Sequence, residues 1–95
     1  MNKHELAAKR LAELGHTTRL CIFRQLVKAG DKGLPVGHIQ KKLDVPSSTL
    51  SHHLSRLKSV GLISQTRQGA VLICRADLEV MDEVACYIRA ECGCD

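Results

Sequence analysis

The chain has 95 residues with a formal charge of +4, and 44% of its residues are hydrophobic while Phe23 and Tyr87 are its only Phe, Tyr or Trp. That length allows one small domain with a modest core, so a second copy is expected to cover part of the surface. Two aromatics exclude a base-stacking platform, and no apolar run reaches membrane-spanning length.

The charge is placed unevenly. Residues 1–60 hold 11 Lys/Arg against 4 Asp/Glu, and residues 61–95 hold 3 against 6. A basic body with an acidic tail suits a protein that meets a polyanion with one part and keeps another part clear of it. Five cysteines, an odd number with three crowded near the end, do not form a disulfide framework. Met1-Asn-Lys-His-Glu leads into a charged amphipathic stretch, which is not a signal peptide, so a cytoplasmic location with reduced thiols is expected.

Helical spacing of Ala7, Leu11 and Leu14, with Leu6 beside them, predicts a first helix from Lys3 to Leu14 that Gly15 stops. Thr17 or Thr18 can cap a second helix, with Leu20, Phe23 and Val27 on one face, Ile22 and Leu26 beside them, and an end at Ala29-Gly30. Pro35 suits the first turn of a short third helix running to about Leu43, and Asp44-Val45-Pro46 breaks it. Ser47 then caps a fourth helix in which Leu50, Leu54 and Leu57 recur at i, i+4 and i+7, and which Gly61 ends. The few residues between these two helices are helix-turn-helix spacing.

Two β-like runs follow, Leu62 to Arg67 and Ala70 to Arg75, about a turn at Gln68-Gly69. Asp77 caps a last helix extending to Cys92. Its Leu78, Met81, Ala85, Ile88 and Cys92 form one seam and its Val80, Val84 and Tyr87 a second, which implies two surfaces to cover, the domain's own body and a second chain. The expected fold is mainly α with a small β-hairpin, a winged helix-turn-helix made of residues 1–95 that dimerises through its first and last helices.

With its leucines turned inward, the fourth helix presents Ser48, Ser51, His52, Ser55 and Arg56 outward, behind Ser47 and Thr49 at its start. Short hydroxyls and an imidazole let a helix approach base edges closely, and a guanidinium one turn on can reach guanine or phosphate oxygens. Lys41 and Lys42 on the preceding helix, with Arg67 and Gln68 at the hairpin tip, complete a surface chemically suited to double-stranded DNA.

The stretch STLSHHLSRLKSVGLISQTRQGAVLICRAD resembles the recognition helix and wing of the ArsR/SmtB family, and LGHTTRLCIFRQL resembles that family's second helix. The resemblance implies a homodimeric winged-helix repressor that leaves operator DNA when an inducer binds. The family's Cys-x-Cys arsenic site before the recognition helix has no counterpart in Pro35-Val-Gly-His-Ile-Gln40, and its His/Asp zinc site in the last helix has no histidine to use. What remains is CYIRAECGCD, similar to a subgroup that binds arsenite at the end of the last helix.

There Cys92 and Cys94 bring two thiols together, and Cys86 lies six residues upstream. Three soft sulfurs suit As(III), Sb(III) or another thiophilic ion. Cys86 and Cys92 differ by about 120° in azimuth and roughly 9 Å in rise on one helix, so the third ligand comes from an unwound last turn or from the other subunit. A thiol redox or reactive-sulfur switch on the same fold is the alternative signal. No Cys-x-x-Cys near a βαβ pattern and no Ser/His/Asp arrangement points to an enzyme.

Overall fold

In the computed structural model, residues 2–90 are described. The chain runs α1 (Lys3–Leu14), α2 (Thr17–Ala29), a single 3₁₀ turn, β1 (Leu34–Pro35), α3 (Val36–Leu43), α4 (Ser47–Ser59), β2 (Ile63–Gln68), β3 (Val71–Ala76) and α5 (Leu78–Arg89). The result is mainly helical, a winged helix-turn-helix with a three-stranded antiparallel sheet in the order β1-β3-β2.

Local chemistry sets the element boundaries. Asn2 and Glu5 close a reciprocal capping box at the start of α1, the Glu5 N–H donating to Asn2 Oδ1 at 2.8 Å. Asp77 caps α5 by accepting from the Val80 N–H at 3.1 Å, as its position predicts. Two other caps differ from expectation. His16, not Thr17 or Thr18, caps α2 through Nδ1, which accepts the Thr18 N–H at 3.1 Å. Pro46, not Ser47, is the cap of α4, and since its side chain holds no acceptor the helix starts without a side-chain cap.

The hairpin lies one residue later than predicted, with Gln68 opposite Val71 and the turn at Gly69-Ala70. Gly69 takes φ 63 while Ala70 stays out of the positive-φ region, the arrangement of a type II′ turn that matches the twist of its strands. Pro35 corrects the sequence reading further. It caps α3 and pairs with Ile73 as the end of the two-residue strand β1, while Leu34 pairs with Cys74. Gly33 makes that pairing possible, because a Cβ there would lie 2.3 Å from the Cys74 carbonyl oxygen.

The core lies where α2, α3, α4 and the sheet converge. Ile22, Leu26, Ile39, Leu50, Leu57, Leu62 and Cys74 are fully buried, with Phe23, Leu54 and Ile63 beside them. The leucine stripe of α4 is therefore the inward face, as its spacing predicts. Helix α1 is rotated relative to its predicted stripe, and α2 turns toward the Ile22 and Leu26 side of its predicted face. Leu11 and Leu20 are exposed, while α2 buries Ile22, Phe23 and Leu26, and α1 buries Ala7 and the carboxylate of Glu13. On α5, Val84 is buried against the body, whereas Leu78 and Ile88 of the other seam are 42% and 60% exposed. Among the described residues no helix is long and apolar enough to cross a membrane.

Candidate nucleic-acid interface

Helices α3 and α4 are joined by Asp44, Val45 and Pro46 alone. Asp44 adopts the left-handed conformation, φ 54 and ψ 51, and its N–H donates to the Gln40 carbonyl at 2.8 Å, which ends α3 and turns the chain sharply into α4. Gln40 Nε2 secures the bend by donating to the Val45 carbonyl. At the far end of α4, the Leu62 N–H bonds the Leu57 carbonyl and the Gly61 N–H that of Lys58, a Schellman closure that sends the chain into the hairpin.

All the residues predicted to meet DNA are exposed: Ser47, Ser48, Thr49, Ser51, His52, Ser55 and Arg56 on α4, Lys41 and Lys42 on α3, and Arg67 and Gln68 on β2. The uncapped first turn of α4 adds backbone N–H donors to its three leading hydroxyls, and such a helix start favours anionic groups. Arg56 differs from an unengaged, reaching guanidinium. Its Nη2 lies 2.9 Å from Glu13 Oε2 and its Nε donates to Glu13 Oε1 at 3.1 Å.

That ion pair belongs to a network that sequence spacing did not reveal. Arg19 Nε donates to the Glu13 carbonyl at 2.7 Å, and Arg19 Nη1 lies 3.3 Å from His53 Nδ1. His53 is 7% exposed, and its ring stands 4.8 Å from that of His16 and 6.1 Å from that of His52, centroid to centroid. The sequence signal was Glu13 itself, a charged residue spaced with Leu6, Ala7, Arg10 and Leu14 on the inward side of α1.

Burial pushes the His53 imidazole below its ordinary pKa, with His16, Arg19 and His52 adding to the effect. The unfolded chain therefore binds a proton near 6.5 that the folded chain resists. Stability from this group is complete above that value and is lost as pH falls through it toward the lower folded pKa. Urea midpoints from about pH 8 to about pH 5 should fall for the wild type and fall less for His53→Gln. Equal pH slopes for the two proteins would show that His53 does not carry the dependence.

The cysteines divide. Cys74 is fully buried, accepts a hydrogen bond from Gln65 Nε2, and burial raises its pKa, so it is a core residue and a poor nucleophile. Cys21 is exposed. Cys86 is exposed on α5 and opens onto a groove of about 370 Å³ between α1 and α5, lined also by Leu6, Arg10, Val84 and Tyr87. Cys92 and Cys94 lie outside the described residues. Among the described residues no cluster of three His, Cys, Asp or Glu could hold a metal ion.

Residues 14–66, from the end of α1 into β2, match the family model described as helix-turn-helix domain. The chain belongs to the helix-turn-helix domain family. An uncharacterized HTH-type transcriptional regulator of Methanocaldococcus jannaschii is 36% identical over 69 residues, covering 73% of this chain and 75% of that one. HlyU from Vibrio cholerae, in its reduced form, is 26% identical with a TM-score of 0.72 over 94% of this chain and 92% of the other. A homodimeric winged helix-turn-helix domain from Mycobacterium bovis, described as a possible ArsR-family transcriptional regulator, is 26% identical with a TM-score of 0.73, covering 85% and 73%. An ArsR-like transcriptional regulator from Rhodococcus shares the fold at 23% identity and a TM-score of 0.75, covering 86% and 74%. This helix-turn-helix protein is thus a transcriptional regulator and not an enzyme.

Proposed function

We propose that the chain is a homodimeric repressor of the ArsR type, working in the cytoplasm, that binds double-stranded operator DNA and releases it when As(III), Sb(III) or another thiophilic ion binds its C-terminal cysteines. The observation that carries the DNA reading is the common exposure of the predicted surface on α3, α4 and the hairpin, built around a three-residue turn. Helix α4 enters the major groove, where Ser51, His52 and Ser55 meet base edges, and Ser47, Ser48 and Thr49 fix its leading end. Lys41, Lys42 and Arg67 hold phosphates, and Gln68 sits beside the duplex with the wing. The exposed Leu78 and Ile88 of α5, with α1, supply the dimer face, in keeping with the homodimeric domain from Mycobacterium bovis.

The inducer reading rests on the donor set. Cys86, Cys92 and Cys94 are three thiols within nine residues, and thiolate sulfur is the ligand that As(III) and Sb(III) prefer. Loading them alters α5, the dimer helix, and so the spacing of the two α4 helices. A coupling of about 1–3 kcal/mol is enough for a useful switch. A second reading, a thiol redox or reactive-sulfur switch, is favoured by the exposure of Cys21 and Cys86 and by the likeness to HlyU, described in a reduced form.

An anaerobic ultraviolet titration of the reduced chain with arsenite decides between them. Saturation at about one equivalent per subunit, lost in Cys92→Ser and in Cys94→Ser, is the expected result. Absence of a saturable thiolate-to-arsenic band, with operator binding instead lost on oxidation, would establish the redox switch.

A further inference from the structure

We infer that Glu13 is a positioning residue for the DNA-contacting helix, holding α4 at its angle through Arg56, and that Arg56 is a strut and not a phosphate contact. The inference rests on the DNA-binding reading above and assigns within it a role to a residue of α1, which itself meets no DNA there.

Glu13 is 7% exposed, and a carboxylate so placed needs partners. It has them from two helices. The Arg56 fork meets both of its oxygens, at 2.9 and 3.1 Å, and Arg19 Nε stands 3.5 Å from Oε1 while donating to the Glu13 carbonyl. A planar guanidinium held on two oxygens fixes direction as well as distance, which a lysine would not do. Arg56 is thereby held toward α1 although its side chain is 53% exposed.

One turn earlier on α1, Arg10 Nε donates to the Val60 carbonyl at 2.9 Å, just past the end of α4. Helix α1 therefore grips the C-terminal end of α4 at two points about one turn apart, a side-chain pair in its last turn and a backbone carbonyl just past its end. Two grips along one helix restrain its tilt, and tilt decides whether the hydroxyls and His52 reach base edges together. Sequence-independent phosphate attraction, by contrast, tolerates small changes in angle.

The two roles of Arg56 predict opposite results. As a strut, its loss lowers affinity for the selected sequence and leaves the electrostatic part of binding alone. As a phosphate contact restrained by Glu13, it is released by neutralising Glu13, and binding then tightens.

The test uses a duplex selected from random-sequence DNA by the wild-type chain, with a scrambled duplex beside it, titrated over a range of salt against wild type, Glu13→Gln, Arg56→Met and the double variant. Each single variant should lose roughly tenfold on the selected duplex, with the double no worse than either, because the two residues act as one unit. Affinity for the scrambled duplex and the slope of log K against log salt should not change. A tighter Glu13→Gln complex, or a slope for Arg56→Met that is shallower by about 0.9 per subunit, would overturn the inference and make Arg56 a phosphate ligand. Equal losses on both duplexes with a lower melting temperature would overturn it too, leaving Glu13 a fold residue only. So would wild-type affinity in every variant. Arg56→Met alters the exposed end of the pair, so it carries the test even if Glu13→Gln does not fold. A wild-type chain that selects no sequence and binds no duplex would remove the DNA-binding reading itself, and the inference with it.

Discussion

Aspartate at Ile88 and Leu78 together is expected to leave the chain monomeric and to weaken operator binding about 100-fold, the loss that follows when two linked binding heads become independent. Both side chains are exposed on one seam of α5, Ile88 60% and Leu78 42%, while Val84 of the adjoining seam is buried on the body. A charge at the seam therefore meets a partner chain and not the core. Desolvating that charge in an apolar contact opposes association without opposing folding. Sedimentation and thermal unfolding separate the two effects. Halved mass with a cooperative unfolding transition retained, at a melting temperature no longer dependent on protein concentration, and a lost operator complex is the expected set. Unchanged mass would place the dimer face elsewhere, and a lost fold with unchanged mass would show that the seam packs internally.

Five helices and the hairpin were legible from spacing, because apolar residues recur with period 3.6 or alternate, and punctuation by Gly15, Asp77 and Gly61 is local. Strand β1 was not legible. Two residues carry no period, and Pro35 reads equally as a helix start; only the approach of Gly33 to Cys74, some forty residues away in sequence, makes a strand of it. The rotation of α1 escaped for a related reason. Leu11 is a better apolar residue than Glu13 by any local measure, yet Glu13 is the buried one, because Arg19 and Arg56 arrive from other helices to satisfy it.

The same division runs through the candidate site. Exposure of the serines and His52 followed from the leucine stripe of α4, since one face of a helix fixes the other. The engagement of Arg56 did not, for its partner is 43 residues away. Cys74 alternates with Leu72 in β3, a pattern that fits its burial, whereas Cys92 and Cys94 lie outside the described residues and rest on donor chemistry alone.

Salt provides the other large effect. Raising monovalent salt from about 50 to about 200 mM should weaken the operator complex by roughly 10³, the loss for about six phosphate contacts, which is three cations in each of two subunits. Lys41, Lys42 and Arg67 are those three: exposed, on α3 and the hairpin that flank α4, and in no ion pair with a described residue. Each replaced by glutamine should make the slope of log K against log salt shallower by about 1.8 in the dimer, alike for operator and scrambled DNA. Ser51→Ala and His52→Ala should do the reverse, keeping the slope and reducing the preference for the operator, because base edges carry sequence and phosphates do not. Anisotropy titrations at four or so salt concentrations distinguish the two patterns. A lysine variant that lost sequence preference with an unchanged slope would move α3 into the groove and displace α4 as the helix that contacts bases.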